Sequence, residues 1–264
     1  MEYWHVSLTA VRGAPAFAGT ARCRAAVRCI DRVAGDKSLV FAVTAPRIEL
    51  GLVCPGDAIG RACVALHRAL EATAGMPIEP PHWRPVESRS HLMWLVRLVL
   101  GAEQALSSGS CFQDLVGARR LPSFAPRLFD ALPRLQVREL CELAGVPAAA
   151  LDPLSHEEVR RAGATRVARA AAASVAAPPA LSGRDATTIT ALRAAFHLAT
   201  DARIARAEIA FALGRSPRAL RRLASAPRDA DVLRAVRLQL ALEDALLGRT
   251  LEASGPPPRY SANG

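Results

Sequence analysis

The stretch SLVFAVTAPRIELGLVCP, residues 38–55, decides how the first half of the chain is read. Leu39, Phe41 and Val43 alternate along its first part, Pro46 suits a turn, and Ile48, Leu50 and Leu52 then alternate with Arg47, Glu49 and Gly51. Period-two alternation marks strands, so the stretch reads as two strands joined at a turn, with Ile48, Leu50 and Leu52 on one face of the second. Upstream, residues 3–9 read as a strand. Residues 20–34 have helical spacing, with Val27, Ile30 and Val33 inward and Arg24, Arg28 and Arg32 outward. Downstream, Asp57 is placed to cap a helix to about residue 74, striped by Ile59, Cys63, Leu66 and Leu70. The proline-broken PIEPPHWRPVES, residues 77–88, leaves room only for a short or edge strand. Ser88 or Ser90 then caps a helix that turns Leu92, Leu95, Val96, Val99 and Leu100 inward. The order β-α-β-β-α-β-α predicts an α+β fold over residues 1–145, a small antiparallel sheet with packed helices of ferredoxin-like type.

The second half reads differently. Residues 146–185 are rich in Ala and Pro and are expected to form a linker around one arginine-bearing helix at 156–173, with AAPPALSG as a flexible boundary. Residues 186–250 are helical in pattern throughout. Within them, DARIARAEIAFALGRSPRALRRLAS (201–225) points Ile204, Ile209 and Leu213 inward, turns at Gly214, and restarts with Ser216 as cap and Pro217 in the first turn. Leu220 and Leu223 anchor the second helix. This is a helix-turn-helix pattern in an all-α bundle, with residues 217–224 as recognition helix. Flanking helices are expected at 187–200 and 230–247, and the apolar face of the latter (Val232, Leu233, Val236, Leu240, Leu247) is a candidate surface for a partner protein. The tail, 251–264, has the composition of a disordered segment.

The 264 residues carry a formal net charge of +10, and Lys37 is the only lysine, so the basic side is arginine. A polyanion is therefore the first partner to consider. Cys23, Cys29, Cys54, Cys63, Cys111 and Cys141 are scattered without a CxxC pair and read as buried free thiols. The start, MEYWHVSLTA, lacks the pattern of a signal peptide. The longest apolar run, HLMWLVRLVLGA, is short and broken by Arg97, so no membrane span is expected. A soluble, cytoplasmic protein is the expectation. No glycine-rich phosphate loop, HExxH or GxSxG occurs in the sequence.

Four segments, YWHVSLTAVRGAPAF, FAVTAPRIELGLV, PHWRPVESRSHLMWLVRLVLGAEQAL and CFQDLVGARR, follow one another in an order that resembles the REP-associated tyrosine transposases. These are single-strand DNA nucleases of the His-hydrophobic-His class. The resemblance covers about residues 1–145, and the C-terminal helices are similar to an accessory domain of some members. It implies metal-binding histidines at the positions of Ile48 and Leu50, either side of Glu49, and a nucleophilic tyrosine at the position of Leu98. Aliphatic side chains offer a metal no lone pair and a phosphodiester no nucleophile. The chain's two tyrosines, Tyr3 and Tyr260, lie elsewhere. The resemblance therefore implies a catalytically degenerate member, not an enzyme, without metal or cofactor, in which Ile48, Leu50 and Leu98 make a dry contact.

What remains is DNA binding, by Arg84, Arg89, Arg97, Arg119 and Arg120 around the former site and by Arg203, Arg206, Arg215, Arg218, Arg221 and Arg222 in the helical unit. The first set would hold single-stranded or hairpin repeat DNA, the second duplex. Two rival readings stand beside this one. A rebuilt nuclease site would draw on His82, Glu87, Ser88, Ser90, His91 or Glu103, although Ser88 and Ser90 also suit helix capping. An adaptor or a decayed relic would use the last helix for docking or have no role. His67 is read as structural.

Overall fold

The computed structural model describes residues 1–101 and 109–253, with side chains through residue 245. Its first half holds β1 (Glu2–Thr9), α1 (Thr20–Ala34), β2 (Ser38–Val43), β3 (Arg47–Cys54), α2 (Ile59–Ala74), β4 (His82–Pro85) and α3 (Arg89–Val99). The four strands form one sheet in the order β2-β3-β1-β4, every neighbouring pair antiparallel. The chain is thus α+β, as its sequence predicts.

The hairpin turns where Thr44 donates its backbone N–H and its hydroxyl to the Arg47 carbonyl, both at 2.8 Å. Register then pairs Phe41 with Leu50 and Val43 with Ile48, while Val6 and Leu8 of β1 stand opposite Leu50 and Ile48. These side chains share one face and are buried. Each contributes roughly 1.5–3 kcal/mol by leaving water. Helices α1 and α2 pack against each other and against β2 and β1 to cover that face.

Helix α3 lies on the other face. A Cβ on Gly51 would stand 3.2 Å from the Leu95 Cδ2 atom and 3.0 Å from Val40 Cγ2, so the missing side chain is what lets α3 approach β3. It follows that the expected contact of Ile48 and Leu50 with Leu98 is not made. Leu98 is half-buried on α3, whereas Ile48 and Leu50 point through the sheet to the opposite layer. The period of a strand is two, so the residues of β3 that face α3 are Arg47, Glu49 and Gly51.

After α3, residues 109–111 run along the free edge of β2, with Val43 N donating to Gly109 O at 3.0 Å and Cys111 N to Phe41 O at 2.9 Å. Short helices α4 (Phe112–Leu115), α5 (Leu128–Ala131) and α6 (Val137–Ala144) follow, then α7 (His156–Ser174), α8 (Ala186–Asp201), α9 (Arg206–Leu213), α10 (Pro217–Ala224) and α11 (Ala230–Ala253).

The segment expected as a linker is instead the hub of the helical unit. Val159, Ala164, Val167, Ala170 and Ala171 of α7 are buried in one cluster with residues of α8, α9, α10 and α11. Alanine lowers the volume between helix axes, and a row of it is what lets α7 sit against α8 and α11. A capping box of Ser155 and Glu158 starts α7. The helical path breaks at Gly163 (φ 77°), and Glu208 from α9 accepts the freed Ala164 N–H at 2.9 Å.

The apolar face of α11 is covered within the chain. Leu238 and Leu242 join the core of the sheet unit, while Val232, Val236 and Leu240 join the helical cluster. The Leu247 side chain, Glu103 and residues 254–264 of the expected tail lie outside what is described. Asp57 does not cap α2, which starts without a side-chain cap, and stands 3.7 Å from Arg61. All six cysteines are free, and burial pushes the Cys111 thiol up to about 12 and Cys63 to about 11. His67 holds the Ile78 carbonyl at 2.9 Å, a structural role as expected. No helix among the described residues is long and apolar enough to cross a membrane.

Candidate nucleic-acid interface

The sheet face beneath α3 is apolar where Leu95 meets Gly51 and Val40, and at Ala42 and Val53. Tyr3 and Val53 extend the face at one end, and toward the other the positions of β1 and β3 are polar: His5, Ser7, Arg47 and Glu49. Register places Glu49 beside Ser7, and Ser7 beside His82; one step along, His5 lies between Gly51 and Arg84. The side chains close into a network around Glu49, which is only 6% exposed. His5 Nε2 lies 2.7 Å from Glu49 Oε2, and Glu49 Oε1 accepts from Arg47 Nε at 2.9 Å and from the Ser7 hydroxyl at 3.3 Å. Arg84 Nε donates to His5 Nδ1 at 3.1 Å. A guanidinium only donates, so Nδ1 is the acceptor, and the ring proton sits on Nε2, which donates to Glu49. The Arg84 guanidinium also stands 5.1 Å from the Trp94 ring, and the His5 ring meets Trp94 edge-on at 5.8 Å. Trp94 itself is 44% exposed.

The arginines singled out from the sequence fall into three groups. Arg84 belongs to this network. Arg89 and Arg97, both exposed on α3, border a cleft of about 490 Å³ together with Arg134, Glu139 and Glu142. Arg119 is a correction. It is 2% exposed, forks onto Asp114 through Nε (2.9 Å) and Nη2 (2.5 Å), and donates to the Ser110 carbonyl at 2.7 Å. A guanidinium so placed holds a loop together and does not meet DNA. Arg120 is exposed and pairs with Asp231 at 3.0 Å. Arg24 and Arg28 are a second correction, since neither faces solvent as a free charge. Arg24 Nη1 donates to the Ala177 carbonyl at 3.0 Å and Arg28 to the Ala176 carbonyl, which ties α1 to the end of α7.

The helical unit shows the contrast. Ser216 accepts the Ala219 N–H at 3.3 Å, Pro217 occupies the first turn, and Gly214 makes the turn before them with φ 58°. Arg203, Arg206, Arg218, Arg221 and Arg222 are all exposed and make no ion pair among the described residues. Arg215 departs from the expectation: its Nη2 donates to the Leu181 carbonyl at 2.6 Å and pins the turn to the segment before α8. Arg203 adopts φ 58°, a left-handed conformation that costs an arginine more than a glycine. Phe211, 86% exposed, stands on the side of α9 opposite the buried Ile209 and Leu213.

Of the residues considered for a rebuilt nuclease site, Ser88 caps α3 by accepting the His91 N–H at 3.1 Å, Ser90 meets the Ser88 hydroxyl at 3.0 Å, and His91 tilts against Trp94 at 5.8 Å. His82 and Glu87 are exposed. Among the described residues no three His, Cys, Asp or Glu side chains are grouped as a metal would require. The residues that the sequence reading missed are His5, Ser7, Glu49, Trp94 and Phe211. The polar alternation of β1 and β3 was a usable signal for the first three; what joins them is the pairing of β1 with β3 across 44 residues of chain. No protein-family model, no curated protein and no solved structure matches this chain.

Proposed function

We propose that this is a DNA-binding protein derived from the REP-associated tyrosine transposases, without their strand-transfer chemistry. Its α9–α10 pair, read as a helix-turn-helix, grips duplex DNA, and its sheet unit, read as ferredoxin-like, takes single-stranded or hairpin DNA. The observation that carries the reading is the set of exposed, unpaired arginines on and beside α9 and α10. Other arginines are taken up by contacts within the chain, Arg119 buried on Asp114, and Arg166 and Arg228 paired nearer the surface with Asp244 and Asp201. Arg32, Arg68, Arg89 and Arg97 are also exposed without an ion pair among the described residues; what marks α9–α10 is that five such arginines fall within twenty residues. Cations that fold stability does not use are what a phosphate backbone neutralises, with release of counterions.

The turn chemistry of Gly214, Ser216 and Pro217 supports the helix-turn-helix reading. The strand order β4-β1-β3-β2, with α1 and α2 as crossovers, supports the ferredoxin-like one. Loss of the family's chemistry is supported in either register of β3. The positions facing away from α3 are Ile48 and Leu50, those facing it are Arg47 and Glu49, and α3 contains no tyrosine. Free thiols suit a reducing, cytoplasmic setting.

The test is fluorescence anisotropy with a labelled duplex and a labelled hairpin across a salt series, with Mg²⁺ present and the products run on a denaturing gel. Charge reversal of Arg218, Arg221 and Arg222 together should weaken duplex binding and lower the slope of log K against log salt by about three, roughly one for each phosphate left without its arginine. An unchanged slope sinks the assignment to α9–α10. Cleavage of the hairpin with covalent attachment to the protein sinks the loss of chemistry.

A further inference from the structure

Two register lines cross the polar part of the sheet face, Glu49–Ser7–His82 and Gly51–His5–Arg84. We propose that this face cleaves single-stranded RNA, by attack of a ribose 2′-hydroxyl on the adjacent phosphate, with His5 as base, His82 as acid and Arg84 on the phosphate. The proposal rests on the single-strand half of the reading above and goes beyond it in substrate and in chemistry.

His5 and His82 are diagonal neighbours on paired strands and project from the same face. Such positions lie about 7–8 Å apart, a gap that one phosphate group fills. His5 is built as a base. Glu49 holds its Nε2 proton at 2.7 Å and is itself fixed by Ser7 and Arg47, so the imidazole has one orientation and its cation a countercharge behind it. The remaining nitrogen, Nδ1, accepts the Arg84 N–H, and the ring, 8% exposed, has Trp94 edge-on beside it, so the approach to Nδ1 opens only as the exposed Arg84 side chain moves. Arg84 is an exposed side chain, and a phosphate competes for it with charge-assisted bonds that a neutral imidazole cannot match. As Arg84 turns to the phosphate, Nδ1 is freed for the 2′-hydroxyl. The half-exposed Trp94 ring beside both residues gives a base a surface to stack on. A purely structural account leaves this face unexplained, because a buried carboxylate and imidazole cost desolvation that an aliphatic pair would not.

The step balances within the RNA. His5 Nδ1 takes the 2′-hydroxyl proton, the O2′–P bond forms, the P–O5′ bond breaks, and the His82 imidazolium gives its proton to the departing O5′. The products are a 2′,3′-cyclic phosphate and a 5′-hydroxyl. Proton exchange with water resets the two histidines. A DNA strand lacks the nucleophile and is held uncut.

The experiment incubates the full chain with an end-labelled single-stranded RNA in EDTA, beside the same sequence as DNA and an RNA with one 2′-deoxy position, with binding of each strand followed by anisotropy. Cyclic-phosphate ends on the RNA, none on the DNA, and none at the 2′-deoxy position are the expected result. His82→Ala should lose about a hundredfold or more in rate with strand binding unchanged. It should recover on a substrate whose leaving oxygen is replaced by sulfur, which needs no acid; a structural lesion would not recover. His5→Ala should lose activity on both substrates. RNA that binds and stays intact overturns the proposal and leaves the binding reading standing. DNA that binds while RNA does not overturns the proposal alone, and failure of both strands to bind overturns it together with the single-strand half of that reading, while the duplex measurement judges α9–α10 separately. Cleavage that persists in both histidine variants also overturns it.

Discussion

Arg24 and Arg28 on α1 and Arg218 and Arg222 on α10 are written with the same i, i+4 spacing, and they end in opposite places. On α1 the first is 8% exposed, and burial, with neighbouring Arg119 adding to it, pulls its pKa down to about 10. Both α1 arginines are engaged on the carbonyls of Ala177 and Ala176, just past the end of α7. On α10 the arginines stand in solvent. The difference is made by what arrives from elsewhere in the chain. The segment that follows α7 passes α1 and offers it the carbonyls of Ala176 and Ala177, whereas Arg218, Arg221 and Arg222 of α10 remain exposed. An arginine stripe thus says only that a surface is cationic in the sequence. Whether it serves folding or a partner is decided by packing.

The largest effect expected from that division is at Arg119. Its replacement by Ala leaves the Asp114 carboxylate buried without a countercharge, and loss of one partner of a buried pair costs about 3–5 kcal/mol. Urea denaturation measures it, and a loss below about 1 kcal/mol would break the distinction between folding and binding arginines.

A smaller effect is expected at Asp185, which caps α8 and lies close enough to Arg28 to be influenced by its charge. The Thr188 hydroxyl at 2.6 Å and the Thr188 N–H at 3.0 Å, with Arg28 further off, hold its carboxyl below the ordinary value of 3.8. A carboxyl depressed in the folded state stabilises fully above its unfolded value and loses that contribution as pH falls through the folded one. Asp185→Ala should therefore cost about 1 kcal/mol at pH 7. The gap to the wild type should close as the pH drops below 3.8. A gap that is the same at pH 7 and in acid would show that the carboxylate is not what is lost.

The smallest effect sharpens the comparison most. Arg218→Ala, Arg221→Ala and Arg222→Ala should each leave stability within about 0.5 kcal/mol of the wild type, as exposed residues free of partners do. Chemical denaturation of the three variants checks this. A cost above about 1 kcal/mol for any of them would move that arginine into the same class as Arg24.

Much of the fold was legible because its signals are local. The alternation of residues 38–55, the stripes of α1, α2 and α3, the Ser88 and Ser216 caps and the turn at Gly214 each lie within a few residues of their consequence. The alanine-rich stretch was misread for the opposite reason. Composition alone suits a linker, and only the helices that return to pack on Val159, Val167 and Ala171 make it a core element. The candidate site was half legible. Arg84 and His82 were visible as polar residues on an edge strand, but their relation to His5 and Glu49 depends on which strands pair and in what register.

The sequence by itself therefore determined the order of strands and helices, the capping of several of them and the excess of arginine, since propensity, period and charge are properties of short segments. The tertiary structure alone decided which face of β3 meets α3, which arginines are used up on carbonyls and carboxylates, and which residues gather around Glu49. Those are contacts between segments far apart in the chain. For the strands the dependence is sharpest, since a shift of one residue in register exchanges the two faces of β3 although the local pattern stays the same.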